Sequence, residues 1–262
     1  MSLTGKTLAG SYKDLLQLDN SNTGVGTSSS QVKDGEGTGS ALFLSDDQLI
    51  ITPQNDDTTS TFRVRKKDGT DILLVDSTNE LVKASGNNVN TQYVNFGVTN
   101  GNSAAFADDT HQAIPFMMSP MAASGYPPAF GTGTDPATSF TTSEGNATRA
   151  SDIVPCIWYI HDSISIDAIK SIEGADAAAG DTTRMHLFSY DFTSASTTPL
   201  SSGTLLAHNT DVTNAGSEQP YLSSWTVDSA SVAAGKVILA FFKSDSINSD
   251  YSLSIQIKYH LT

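Results

Sequence analysis

The residues whose types could carry chemistry are few and are not grouped into known motifs. The five histidines are His111, His161, His186, His208 and His260. They form no His-Glu-x-x-His motif, and no two of them are spaced as metal ligands usually are. Isolated histidines of this kind usually occupy ordinary surface or sheet positions. The sequence therefore predicts no metal and no cofactor.

The single cysteine, Cys156, excludes an intrachain disulfide and a cysteine-rich metal site. It lies between Pro155 and Ile157 in an apolar run, where cysteine behaves as a small buried hydrophobe. A catalytic thiol needs an exposed, electropositive setting instead. No Gly-x-Ser-x-Gly elbow or phosphate-binding glycine loop is present. These features predict no nucleophilic catalysis.

Carboxylates are the remaining candidates for chemistry. Adjacent aspartate pairs stand at 46–47, 56–57 and 108–109, and further aspartates at 245–250 could offer oxygen ligands to calcium without forming a known calcium loop. Neighbours in a strand point to opposite faces, whereas glycosidases hold two carboxyls about 5 to 9.5 Å apart across a sugar. The sequence therefore predicts that the protein is not an enzyme.

The composition also limits the partners. The 262-residue chain has 14 Lys and Arg against 28 Asp and Glu, a formal net charge of −14. Nucleic acids and anionic membranes are bound through basic surfaces, so neither is an expected partner. The amino terminus lacks the apolar core of a signal peptide, which predicts synthesis in a host cytoplasm without export.

The amino-terminal part reads as a series of short strands. Residues 71–83 predict a hairpin, with an apolar strand at 72–75, turn residues at 76–79 and a return strand from Leu81. Asp14 to Asn22 repeats the start of this pattern 57 residues earlier (71 − 14 = 57). Further strands are predicted at 41–44, 48–52 and 61–66, with a tight turn at Asp68-Gly69.

Each of these strands carries little apolar material, so a single copy would be marginally stable. Three copies around an axis could bury their apolar side chains against one another. We therefore predict a trimeric stalk built from an extended attachment segment at 1–40 and a β-meander at 41–105. The predicted inter-chain core consists of Phe62, Val64, Leu73, Val75 and Leu81.

The carboxy-terminal part, 106–262, shows regular strand periodicity. Strands are predicted at 153–160, 164–172, 184–192, 203–208, 221–227, 236–243 and 251–261. This pattern predicts an antiparallel β-sandwich head, most simply a jelly roll of two four-stranded sheets. A long loop-like segment at 119–149 precedes it, which Tyr126, Phe130 and Phe140 could anchor.

Sugar binding without cleavage is an alternative function for the head. Tyr126, Tyr190, Tyr221 and Trp225 could provide aromatic platforms for a glycan. The competing interpretation is that Trp225, like Trp158, packs in the core of the sandwich. Buried aromatics dominate such cores, which favours this second interpretation.

Several runs of the chain resemble virion structural proteins of tailed bacteriophages, a group often described as tail-fibre-like. In the amino-terminal half the runs are SYKDLLQLDNSN at 11–22, KDGEGT at 33–38, PQNDDT at 53–58 and LVD at 74–76. In the carboxy-terminal half, VPCIWY at 154–159 and GSEQPY at 216–221 are similar to the heads of marine-phage members. The resemblance covers nearly the whole chain and implies a trimeric, non-enzymatic virion component.

Together these features predict a homotrimeric tail fibre or fibre-like appendage of a phage particle. Its partners would be other copies of the chain, other virion proteins and a host surface glycan. Two alternatives stay open: a capsid decoration or head-fibre protein with the same architecture, and a module that binds or cleaves glycans.

Overall fold

A computed structural model describes residues 13, 15–21, 23–99, 109–117, 119–120, 130–136, 153–175, 179–196, 200–215, 219–245 and 251–262. Strands make up 52% of the structure and helix 3%, so the all-β prediction is confirmed. Within the described residues, no helix is long and apolar enough to cross a membrane. The chain divides into two compact units, Met1–Val89 and Asn90–Thr262.

The first unit contains two four-stranded antiparallel sheets, each with its strands in chain order. The first sheet comprises β1 (Gln17–Leu18), β2 (Ser30–Lys33), β3 (Gly39–Leu44) and β4 (Leu49–Ile51). The second comprises β5 (Phe62–Arg65), β6 (Asp71–Asp76), β7 (Leu81–Ala84) and β8 (Asn87–Asn88). Such meanders form where short strands alternate with polar turns, as the sequence predicts here.

The second unit contains a six-stranded and a seven-stranded sheet. The six-stranded sheet comprises β9 (Thr91–Thr99), β11 (Ser119–Pro120), β13 (Ile164–Ala175), β17 (Tyr221–Ser224), β19 (Ser231–Val232) and β21 (Tyr251–Leu261). The seven-stranded sheet comprises β10 (Gln112–Ile114), β12 (Trp158–Tyr159), β14 (Thr182–Asp191), β15 (Thr204–His208), β16 (Val212–Thr213), β18 (Thr226–Val227) and β20 (Lys236–Ser244). All pairs are antiparallel except β9 with β11.

The main core of the second unit is shared by these two sheets in a sandwich-like arrangement. Ile255 and Ile257 of the six-stranded sheet join Leu187 and Phe242 of the seven-stranded sheet in one buried cluster. The other face of the seven-stranded sheet is also covered, because Phe241 of β20 packs in a second buried cluster. Successive side chains along a strand point to opposite faces of the sheet, so the neighbours Phe241 and Phe242 pack in different cores.

The second core is closed by two segments that are not strands. Phe130 is fully buried, and its ring centroid lies 4.5 Å from that of Phe241. Ile153 and Cys156 also enter this cluster. Phe130 therefore anchors its segment as the sequence predicts, and Cys156 is a buried hydrophobe. Tyr126 and Phe140, the other predicted anchors, lie outside the described residues.

Three boundaries and the number of strands in each sheet differ from the sequence prediction. The division lies after Val89 instead of residue 105, because β9 pairs with β21 along its whole length and buries Phe96. The predicted attachment segment 1–40 contains β1, β2 and the start of β3. The predicted strand 153–160 begins with a 3-10 turn, Val154–Cys156, since Pro155 cannot donate a ladder hydrogen bond. The sheets have six and seven strands instead of four each.

Candidate functional site

The second amino-terminal sheet owes its shape to local turn chemistry. Gly69 adopts φ 90°, a conformation that glycine tolerates, and its N–H bonds the carbonyl of Lys66. At the other turn, the Asp76 carboxylate accepts bonds from the backbone and side-chain nitrogens of Asn79. These bonds from Asn79 hold the pKa of Asp76 below its ordinary value. The predicted hairpin and the Asp68-Gly69 turn are thus confirmed.

The pairing register decides which residues share a face of this sheet. Phe62 stands opposite Val75, and Val64 stands opposite Leu73. On the next strand, Val82 stands opposite Val75 and Ala84 opposite Leu73. Directly opposed residues project from the same face of an antiparallel sheet. We refer to these six residues, Phe62, Val64, Leu73, Val75, Val82 and Ala84, as the apolar face.

Leu81 was predicted to belong to this set, and the structure corrects that prediction. Leu81 pairs with Asp76, which is adjacent to Val75 and so points to the opposite side. The four residues of the turn at 77–80 determine which residues of the return strand share a face with Val75. Val82 therefore lies on the apolar face, where Leu81 was predicted to lie. The opposite face also carries Arg63 and Lys83, on either side of Leu74.

No side chain of the apolar face is fully buried in the described part of the chain, and Val64, Val82 and Ala84 are exposed. Val64 is 41% exposed and Val82 is 38% exposed. Among the described residues of the first unit, Val32 is the only buried apolar side chain. A soluble domain normally stabilises itself by burying many such groups, each worth about 1.5 to 3 kcal/mol when fully buried. The described part of this unit therefore buries little apolar surface of its own.

The residues predicted to contact glycan fall into three environments. Tyr190 is 1% exposed and packs so tightly on Gly203 that a Cβ there would lie 2.5 Å from the ring. Trp225 is 8% exposed and belongs to the main core. Stacking on a sugar needs an open ring face, so neither residue can serve as a platform. Tyr221 is half-buried, and Tyr126 lies outside the described residues.

Trp225 occupies the point at which the chain changes sheets. β17 before it pairs with β13, and β18 after it pairs with β15 of the other sheet. The indole N–H donates a buried 2.9 Å bond to the Ser171 hydroxyl. The competing interpretation of Trp225 as a core residue is therefore confirmed, and Trp158 is a core residue as well.

Replacing Ser171 with alanine should destabilise the head by about 1 to 3 kcal/mol, because the buried Trp225 N–H would lose its acceptor. Urea unfolding followed by tryptophan fluorescence would measure the loss. Ser252→Ala on the exposed face of β21 is the matched control and should change stability by less than about 0.5 kcal/mol. Equal effects of the two substitutions would contradict the role assigned to this hydrogen bond.

An open cleft of about 200 Å³ that the sequence did not predict lies at one edge of the head. Gln92, Trp158, His161, Asp162 and Tyr259 are among its lining residues. The Tyr259 hydroxyl donates to the Gln92 side chain at 2.8 Å, and its ring meets that of Trp158 edge to face. Aromatic rings beside amide and carboxylate groups can bind a small polar ligand. No short sequence motif marks this cleft, since its residues come from distant strands.

The histidines are less scattered than the sequence suggests. The rings of His111 and His186 lie 5.1 Å apart, and that of His208 lies 6.4 Å from His186. His161 is exposed, and His260 contacts Asp167 at 2.9 Å. In the described part of the chain, no group of three or more His, Cys, Asp or Glu side chains could hold a metal ion.

A buried carboxyl group was missed entirely by sequence analysis. Glu173 is 1% exposed between the two sheets, and the Thr183 hydroxyl lies 2.7 Å from each of its oxygens. Burial raises the pKa of Glu173 to about 7, against a smaller opposing effect of the Thr183 bond. Nearby, the Tyr251 hydroxyl contacts Ser244 and Asp181. Glu173, Thr183, Ser244 and Tyr251 are all buried, so the charge of Glu173 bears on the stability of the head.

Comparisons with known proteins do not assign a family. No protein-family model matches the sequence, and no curated protein matches it.

Proposed function

We propose that this chain is a non-enzymatic structural protein that assembles with copies of itself through the apolar face. The observation that carries the proposal is the composition of that face. It has six apolar residues and no charge, while the opposite face carries Arg63 and Lys83. An apolar surface of this kind, uncovered in one chain and bounded by polar residues, is typical of a protein interface.

The proposed assembly is a homotrimer. Three copies around a common axis can point all their apolar faces inward, which gives the first unit the core that it lacks in a single chain. Two copies packed face to face would also cover the surface. The number three is supported by the resemblance to tail-fibre-like virion proteins, which implies a trimer.

The proposed setting is the particle of a tailed bacteriophage, where the chain would form a tail fibre or similar appendage. The same architecture would serve a capsid decoration or head-fibre protein. The number of copies per particle distinguishes these positions. A decoration protein is spread over the capsid in repeated copies, whereas a particle carries only a few fibres. Counting copies per particle by quantitative mass spectrometry would separate the two.

Glycan binding by the head has less support. Of the four residues predicted for it, Tyr190 and Trp225 are in the core, and the Tyr221 hydroxyl already accepts bonds from Ala215 and Gln219. The cleft beside Tyr259 is the surface that such a function would have to use. We therefore propose assembly as the main function.

Light scattering on the purified full chain should give about three times the 27.6 kDa chain mass. The measured mass should stay the same over a range of protein concentrations. The proposed interface is obligate, because the apolar residues of the first unit would be buried only in the assembly. A stable folded monomer would overturn the proposal. A dimer would retain assembly through the apolar face but would refute the trimer.

A further inference from the structure

Segment 130–136, which closes the second core, is held by four basic side chains on the seven-stranded sheet and its flank. We call the four, His111, Arg184, His186 and Lys243, the basic cradle. Three of them contact backbone carbonyls of the segment, and His186 contacts the Asp135 side chain. The segment thus depends on a cluster in which two members are histidines, whose rings can gain a second proton on acidification.

The contacts in the basic cradle are specific. The Lys243 ammonium donates to the carbonyls of Thr132 and Gly133 at 2.9 and 3.0 Å. Arg184 donates to the carbonyl of Thr134 at 3.0 Å. The ring of His111 lies 3.3 Å from the carbonyls of both Gly133 and Thr134. The segment is therefore bound through oxygen atoms that can only accept hydrogen bonds.

The histidine contacts determine where each ring holds its proton. The partners of His111 Nε2 are carbonyls, and that of His186 Nε2 is the Asp135 carboxylate at 2.9 Å. Each Nε2 must therefore be the donor, which leaves Nδ1 as the unprotonated nitrogen of the neutral ring. Both Nδ1 atoms are buried, and neither has a hydrogen-bond partner among the described residues. A second proton on either ring would be buried with no acceptor.

The charged groups around the two rings act in both directions: His186 and Lys243 lower the pKa of His111, whereas Asp135 opposes the effect of burial on the pKa of His186. Among the described residues, the charged and titratable groups nearby are Asp109, Asp135, Arg184, His208, Asp211, Asp228 and Lys243. Most of the carboxylates are already paired: Asp109 with Lys243, Asp211 with Arg184 and Asp228 with His208. Asp135 is the one that contacts a cradle histidine, and it is largely exposed.

We propose that the basic cradle is an acid-sensitive latch that holds segment 130–136 while His111 and His186 are neutral and releases it when they gain protons. Release would place both rings in water, where the added charges are solvated. It would also withdraw Phe130 from Phe241 and uncover the second core. Acid conditions would thus expose an apolar surface on the head.

The direction of the pH effect follows from the burial of the rings. Burial, then His186 and Lys243, lowers the pKa of His111 from 6.5 to about 4, and burial also lowers the pKa of His186. In the open form the rings recover ordinary pKa values, so the open form binds more protons below pH 6.5. The closed form is fully favoured above pH 6.5 and loses its advantage as pH falls towards 4.

Hydrogen–deuterium exchange of the full chain, corrected for the intrinsic pH dependence of exchange, tests the latch. The reporters are the amides of His111 and Phe130, which bond the carbonyls of Gly131 and His111. Protonation of His111 alone, with a pKa of about 4 in the closed form and 6.5 in the open form, should lower the protection of these amides about 50-fold between pH 7 and pH 4.5. Amides of β13 and β21 should keep their protection. Unchanged protection at the reporters, or equal loss throughout the head, would overturn the proposal.

A double substitution, His111→Gln with His186→Gln, identifies the groups responsible. Glutamine keeps an N–H donor for the segment but cannot be protonated in this range, so the loss of protection at pH 4.5 should shrink to less than fivefold. His161→Gln, at an exposed position outside the basic cradle, should behave as the unmodified protein. A double variant that still opens on acidification would refute the role of these rings. If the double variant fails to fold, the comparison of reporter and sheet amides in the unmodified protein still decides.

Discussion

Val64→Asp is expected to convert the assembled protein into monomers. The substitution places a carboxylate on the apolar face, two residues from Phe62 on the same strand and directly opposite Leu73. In a trimer three such charges would meet in an apolar interior without partners, at a cost of several kcal/mol per charge. Each 1.4 kcal/mol weakens association tenfold, so light scattering at micromolar concentration should report the mass of one chain.

Leu74→Asp is the matched control for this experiment. Leu74 lies between Val75 and Leu73 on the same strand but pairs with Arg63 and Lys83, so it projects from the opposite face. The same charge there should remain in water and leave the assembled mass unchanged. Dissociation by Leu74→Asp, with the assembled mass retained by Val64→Asp, would show that the opposite face of the sheet forms the interface. If neither variant dissociates, this sheet does not form the interface.

Glu173→Gln is expected to stabilise the head at pH 8 by about 2 to 3 kcal/mol. At that pH the Glu173 carboxyl is ionised, although it is buried between the sheets beside Thr183. Its pKa of about 7 against an ordinary 4.5 corresponds to a penalty of about 3 kcal/mol on the charged form. Glutamine has the shape of the protonated acid and avoids that penalty.

The stabilisation should vary with pH in a defined direction. Because the folded-state pKa lies above the unfolded value, the folded protein binds more protons between pH 4.5 and 7. Stability from this group is therefore complete below pH 4.5 and is lost as pH rises to 7. The two proteins should be about equally stable at pH 4.5 and should diverge above it. His111 contributes equally to the pH dependence of stability in both proteins, so its contribution cancels when the two stabilities are subtracted.

Urea unfolding at several pH values measures this difference. Both tryptophans of the chain, Trp158 and Trp225, lie in the main core of the head, so their fluorescence reports this unit alone. Asp162→Asn, at an exposed position, is the control and should follow the unmodified protein at every pH. Parallel stability curves for Glu173→Gln and the unmodified protein would show that the buried carboxyl carries no penalty.

The predictable part of the fold was set by contacts between near neighbours in the chain. Turn residues at Asp68-Gly69 and after Asp76 act through bonds spanning two to four residues, so their hairpins can be read from the sequence. Alternation in 236–243 and 251–261 likewise marks strands, because a period of two is a property of the strand itself. The same short range explains the correct assignment of the all-β class.

The candidate site was only partly predictable. Four of the five predicted interface residues share the apolar face, but Leu81 does not. A pattern of apolar residues cannot show which of Leu81 and Val82 faces Val75, since that depends on the length of the turn and on the register. A single-residue difference in register moves a side chain to the opposite face.

The sequence by itself determined the strands, the turns and the scarcity of apolar material in the first unit. Tertiary structure alone decided what those strands bring together: Trp225 on Ser171, His111 beside His186 and Glu173 opposite Thr183. Trp225 and Ser171 are 54 positions apart, and the two histidines are 75 apart (186 − 111 = 75). Burial and pKa depend on such long-range contacts, because desolvation is a property of the folded environment and not of the residue.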